Sequence, residues 1–242
     1  MLSSLLTITK IFTKYARRNP GFYFIGVVFL PISLLIPLTI LVDPQNRLDI
    51  FFGSAICGTT IMTISDISDI ISRDKYLNAL SLFITRPVKS YHYIIGVGLS
   101  TLVYNFLGLI VIVIFGVLLL QFTITAVQLL FFFAIIFIGW FISCSIGFLI
   151  GMWGPEDPRT NTSLASILAY VLTFLAPTYY PINALPPVLQ KISYIFYTTN
   201  LSIVGKSIIL NQPTPWVNVI IISSYCILGL IFMFRLSKWK TE

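Results

Sequence analysis

Charge is scarce in this chain, and acids are scarcer than bases. Of 242 residues only 10% are charged, with 8 Asp and Glu against 15 Lys and Arg. A soluble domain carries about 25% charged residues, so a water-soluble enzyme or scaffold is excluded. Histidine occurs once, as His92, with no Cys, Glu or second His near it in sequence. That excludes a His–His metal centre and a serine–histidine pair, and no catalytic residue is assigned. Cys57, Cys144 and Cys226 stand singly in separate apolar segments without CxxC spacing. Neither a metal site nor a disulfide framework is indicated. A phosphate loop is missing as well. Gly205-Lys206-Ser207 has the end of one, but the earlier glycine would fall where Asn200 stands. No cofactor is therefore expected on this chain. The first apolar run is too long for a cleavable signal peptide and lacks a cleavage site.

Apolar residues are abundant: 57% of the chain is hydrophobic and mean hydropathy is +0.95. The sequence predicts an all-α membrane protein, one membrane domain over residues 1–242. Residues 1–20 read as an interfacial helix, with Leu5, Ile8, Phe12 and Tyr15 on one face and Lys10, Lys14, Arg17 and Arg18 on another. Six apolar segments follow: Phe22–Val42, Ile50–Ser72, Ile94–Gln121, Ala126–Trp153, Thr162–Tyr180 and Trp216–Phe234. Each reaches or nearly reaches the roughly 20 residues that cross ~30 Å of hydrocarbon.

The net charge of +7 does not point to nucleic acid, because the basic residues flank apolar segments instead of forming one patch. They fix an orientation instead. With both termini cytoplasmic, the inner side holds Lys10, Lys14, Arg17, Arg18, Arg73, Lys75, Arg86, Lys89, Arg159, Arg235, Lys238 and Lys240. The outer side holds only Arg47, Lys191 and Lys206. A basic residue at a span centre costs about 2.5–3.5 kcal/mol on insertion scales, and none of the six segments contains one.

Two connections are more than linkers. Residues 73–93 form a polar island whose middle, Tyr76 to Phe83, reads as a short amphipathic helix stopped before Pro87. Residues 181–212 are too apolar for a free loop and too broken by Pro and Asn for a seventh span. They read as two short helices dipping into the outer leaflet, the first opened by Pro186 and Pro187. Such re-entrant backbone needs protein or a water-filled cavity around it.

Three side-chain patterns stand out. Asp66, Asp69 and Arg73 share a helix face at the membrane edge, with Asp69 and Arg73 in the favourable i,i+4 order. The cluster reads as an anchoring salt bridge. The alternative is an ion or proton site, since intramembrane carboxylates often mark pathways; a secondary transporter or channel would then use Asp66 and Asp69. Gly139, Ser143, Gly147 and Gly151 recur every fourth residue and read as a close-packing seam. Ser54, Thr59 and Thr63 offer a weakly polar wall for a candidate substrate path, and Thr173 belongs to a similar stripe on the fifth segment.

Taken together, these parts resemble the permease subunits of ATP-binding cassette exporters of the ABC-2 type. The resemblance runs through Asp74-Lys75-Tyr76-Leu77-Asn78-Ala79-Leu80, through Arg86-Pro87-Val88, and through Tyr180-Pro181-Ile182-Asn183-Ala184-Leu185-Pro186. The family's glycine and glutamate in the first motif are replaced here, with Asn78 and Ser81 nearby. The Asn-Pro that follows the second motif is also absent, and Thr198-Thr199-Asn200 stands instead. The resemblance implies six spans per subunit and a second permease copy as homo- or heterodimer. It implies separate ATPase subunits that bind the ATP and magnesium. It makes 73–93 the coupling segment that seats in the ATPase, with Tyr76, Leu77, Leu80 and Phe83 as apolar knobs and Lys75 and Arg86 as rim charges. The cargo leans towards lipid-like or amphipathic molecules, in the cytoplasmic membrane.

Overall fold

A computed structural model describes residues 7, 9–13, 29–41, 46–79, 90–120 and 125–236. Among these residues every regular element is helical. The longer helices are α1 (Leu30–Leu41), α2 (Arg47–Tyr76), α3 (Ser90–Leu120), α4 (Ala126–Trp153) and α5 (Pro158–Phe174). A 3-10 turn at Ile182–Ala184 leads to α6 (Pro187–Ser193), α7 (Tyr197–Ile209) and α8 (Trp216–Leu236). Four of them, α2, α3, α4 and α8, are long and apolar enough to cross a membrane. The helix α4 coincides with its predicted segment, bounded by a Thr125–Gln128 capping box and by Gly154.

The fifth predicted segment is displaced. The helix starts at Pro158, not Thr162, because Asp157 caps it and accepts from the Thr160 backbone N–H at 2.9 Å. It stops at Phe174, not Tyr180, since Pro177 disfavours helical geometry in the residue before it. Its 17 residues span about 26 Å at 1.5 Å per residue, short of a full crossing. The second segment is longer than predicted. Asp49 lies inside α2 instead of in a loop, and the helix runs on through Tyr76. Tyr76 and Leu77 therefore do not open a separate short helix. Tyr76 ends α2, and Leu77 and Asn78 form a turn with Asn78 at φ 53°. Asn is among the few residues that tolerate that left-handed geometry.

The helix α2 is the hub. Over its most apolar stretch 89% is buried, against 28% for α3 and 17% for α8. It packs on α1, α3, α4, α5 and α7, while α8 lies outside on α4 and α7. Helices in lipid gain little from the hydrophobic effect, so association rests on close packing and hydrogen bonds. Both are present. Phe51 and Phe52 of α2 meet Phe132 of α4 with ring centroids 4.8 and 5.5 Å apart. A Cβ on Gly147 would stand 3.0 Å from Ile67 Cβ, and one on Gly151 2.8 Å from Ile71 Cβ. The α2–α4 contact therefore needs the missing side chains.

The two broken helices of the 181–212 region fold as predicted in kind. Pro187 opens α6, and α7 ends at Leu210 and Asn211, whose φ is 52°. The helix α7 is buried against α2, α4 and α8. Near the chain start, residues 9–13 are helical and dock on α3. Phe12 meets Tyr93 edge-on at 5.9 Å, and Tyr104 Oη donates to the Thr13 carbonyl at 2.7 Å.

Candidate functional site

The end of α2 that carries Asp69 and Arg73 faces the first turns of α5 across a recess of about 1060 Å³. Asp69 is fully engaged there. One oxygen accepts from Arg73 at 2.6 Å and the other from Thr162 Oγ1 at 3.2 Å. One turn deeper, Ser65 and Ser166 share a hydrogen bond of 3.0 Å between the same helices. Asp66 is half-buried and stands outside the pair. The recess has Arg73 and Arg159 on its rim, the hydroxyls of Thr162, Ser163 and Ser166 on one wall, and Tyr76, Leu77 and Ile167 as apolar surface. Asp157 also lines it. Its carboxyl is held below the usual range by the hydroxyl and then the backbone N–H of Thr160. The recess thus combines charged, hydroxyl-bearing and apolar side chains in one lining.

The coupling residues divide. Tyr76 and Leu77 are each 65% exposed beside the recess. Lys75, predicted as a rim charge, donates instead to the Met152 carbonyl at 3.3 Å and ties α2 to the end of α4. Leu80, Phe83 and Arg86 lie outside the described residues. A single bond ties the two ends of the segment together, Asp74 accepting from the buried Tyr93 hydroxyl at 2.7 Å.

Of the four path residues, Thr59 and Thr63 lie near Asn105 of α3. Ser54, Thr59, Thr63 and Thr173 are all buried. Thr63 Oγ1 accepts from Asn105 of α3 at 3.0 Å, and Thr173 bonds back to the Ala169 carbonyl at 2.9 Å. Thr59 lies at a different cavity, between α3 and α4. Period in the sequence places residues on a helix, but it does not say which neighbour each face meets. The small-residue ridge serves two contacts. Gly147 and Gly151 meet α2, while Gly139 and Ser143 meet Leu201 and Tyr197 of α7.

Several side chains that organise this region were not singled out from sequence. Tyr197 Oη lies 2.8 Å from Ser143 Oγ and donates to Thr60 Oγ1 at 3.2 Å, joining α7, α4 and α2. Asn218 of α8 donates to Asn200 of α7 at 2.7 Å. Lys206 of α7 pairs with Asp49 of α2. Lys206 was read as an outer-side charge, and Asp49 as a loop residue. Polar side chains inside otherwise apolar helices were the available signal, but their partners are 18 to 157 residues away.

A family model described as ABC-2 type transporter matches residues 3–205 of the chain. No curated protein matches it.

Proposed function

Since the chain belongs to the ABC-2 type transporter family, we propose that it is the permease subunit of an ATP-driven exporter. It sits in the cytoplasmic membrane with both termini inside, pairs with a second permease copy, and docks separate ATPase subunits through residues 73–93. The six spans are built on α1, α2, α3, α4, α5 and α8, the short α5 completing its crossing with the turns at residues 175–180, and α6 and α7 are re-entrant from the outer side. The cargo is amphipathic. The observation that carries this reading is the recess between α2 and α5, whose lining joins charged Asp69, Arg73, Asp157 and Arg159, the hydroxyls of Thr162, Ser163 and Ser166, and apolar Leu77 and Ile167.

The hub helix gives the coupling a physical route. The 30 residues of α2 make a rod about 45 Å long at 1.5 Å per residue. One end leads into the coupling segment and is clamped by Lys75–Met152 and Asp74–Tyr93. The other end is tied to α7 by Asp49 and Lys206. Closure of the ATPase pair pushes on the first end. A rigid helix carries that displacement past the recess to the outer side, which is a rigid-body form of alternating access.

Purification from native membranes in mild detergent should recover an ABC-type ATPase with the chain. In reconstituted vesicles a fluorescent lysophospholipid should then move on ATP addition. Ser163→Trp, which fills the recess from an exposed position, should reduce that movement while the ATPase still co-purifies. Recovery of no ATPase, or transport indifferent to Ser163→Trp, would overturn the proposal.

A further inference from the structure

A second cavity, of about 330 Å³, lies on another side of the hub, between α3 and α4. It falls within the range of small-molecule sites, roughly 300–1,000 Å³. Its lining is almost wholly apolar, from Leu102, Phe106 and Leu109 of α3 and Ala134, Phe137 and Trp140 of α4, with Thr59 of α2 among the lining residues. Asn105 lies near the midpoint of α3, so the cavity sits at mid-depth of the helix pair. Phe106 and Phe137 are 49% and 51% exposed on the outer surface of the fold. That surface continues along α3 through Val103, Leu107 and Ile110, so the cavity mouth opens on a continuous apolar face suited to contact with lipid.

The two N–H donors beside the cavity are already spent on the protein. Asn105 Nδ2 donates to Thr63 Oγ1 and to the Thr101 carbonyl, each at 3.0 Å. Trp140 Nε1 donates to Thr101 Oγ1 at 3.2 Å. A charged or strongly hydrogen-bonding ligand would lose its hydration there and find little beyond the Thr59 hydroxyl to replace it. An apolar void of this size stays dry and forfeits the dispersion contacts of its walls. An apolar chain entering from the lipid face restores those contacts and needs no donor.

We propose that this cavity is a lipid site that holds one acyl chain of a bilayer phospholipid, inserted between α3 and α4 as far as the hub helix. The inference rests on the chain being a membrane protein and not on export, cargo or an ATPase. It assigns Thr59 to a lipid-filled compartment, separate from the recess between α2 and α5.

Trp140 is a built-in reporter, being 7% exposed and part of the cavity wall. The test uses the full chain carrying Trp153→Phe, Trp216→Phe and Trp239→Phe. It is reconstituted in phosphatidylcholine vesicles whose acyl chains carry bromine near their methyl ends, or in the unbrominated lipid. Bromine quenches indole emission only near contact. Trp140 should be quenched as strongly as a tryptophan placed at the lipid-exposed Ile110, despite its burial. Ala134→Phe, which fills the cavity from an exposed position, should remove the quenching. Phe106→Ala, which widens the mouth, should increase it, an effect that misfolding with loss of the cavity would not give. An unquenched Trp140, or quenching that neither variant changes, overturns the proposal. In the first case the cavity is empty or holds protein; in the second, lipid reaches Trp140 only from outside.

Discussion

Lys206 on α7 is ion-paired with Asp49 near the start of α2, across 157 residues of sequence. Their side chains are only 20% and 10% exposed, so neither charge has water as a full alternative. Truncating one partner leaves the other charge partly buried and unpaired, which is the costly direction. Lys206→Met should destabilise the purified chain by about 1–3 kcal/mol, read as a lower thermal midpoint in detergent. The double variant Asp49→Asn, Lys206→Met should regain most of that loss. Equal midpoints for Lys206→Met and the unmodified chain would show that the pair does not hold α7 in place.

That pair also marks what the sequence makes legible. Composition and segment length give the class, and the i,i+4 spacing gives the Asp69–Arg73 bridge, seen at 2.6 Å. The Pro-rich 181–212 stretch yields two short helices because Pro186 and Pro187 act locally. Local rules work where the partner is local. They do not reveal that α2 is enclosed on nearly every side, although its Ser54, Thr60, Thr63, Ser68 and Ser72, all buried, make it the least apolar of the four long helices. A hydroxyl inside a span signals a neighbour without naming it. Hence Thr59 and Thr173, alike by composition, differ in setting: Thr59 lines the cavity between α3 and α4, while Thr173 bonds back within α5.

Orientation follows from charge and is open to a direct check. Lys191 and Arg159 are both exposed, on α6 and the first turn of α5. With Cys57, Cys144 and Cys226 replaced, Lys191→Cys should react with an impermeant thiol reagent in intact cells. Arg159→Cys should react only after the membrane is opened. The reverse pattern would invert the topology and place the recess on the outer side.

The glycine ridge makes a graded prediction. On Gly151 a Cβ would stand 2.8 Å from Ile71 Cβ, whereas on Gly98 it would stand 3.7 Å from Trp140, an ordinary contact. Gly151→Val should therefore force α4 away from α2 and destabilise by about 1–3 kcal/mol, as overpacked cores do. Gly98→Ala should be neutral or stabilising, since Ala is favoured over Gly in a helix by up to about 1 kcal/mol. Thermal unfolding of the two variants beside the unmodified chain separates them. Equal effects would mean the ridge is not an internal seam.

The carboxylates decide between ATP-driven export and gradient-driven transport. Asp69 already accepts from Arg73 and Thr162, which leaves it poorly placed to exchange an ion. Asp66→Asn should then leave transport in vesicles insensitive to a collapsed proton or sodium gradient at constant ATP. If collapse stops transport in the unmodified chain and Asp66→Asn removes that dependence, the secondary-transport reading prevails.

The last prediction concerns residues 73–93, and the structure sharpens it by sorting their roles. Lys75 has an internal partner in the Met152 carbonyl, so Lys75→Ala should loosen the joint between α2 and α4 without directly removing a docking contact. Tyr76 and Leu77 have no such cover and are 65% exposed. Exposed apolar side chains at a helix end that carries basic residues are costly unless something covers them, and each is worth about 1.5–3 kcal/mol when fully buried. Their sequence neighbours Leu80 and Phe83 continue the apolar pattern of the predicted coupling helix. Interface energy concentrates in a few central anchors. Leu77→Asp and Leu80→Asp should therefore each release the ATPase in a pull-down and abolish cargo-stimulated hydrolysis in vesicles. Lys89→Ala, at the rim, should retain both. Lys75→Ala should lower the thermal midpoint of the permease alone, a readout that loss of docking would not move. If both aspartate variants keep the ATPase and full coupled activity, the partner docks elsewhere and α2 is not the lever.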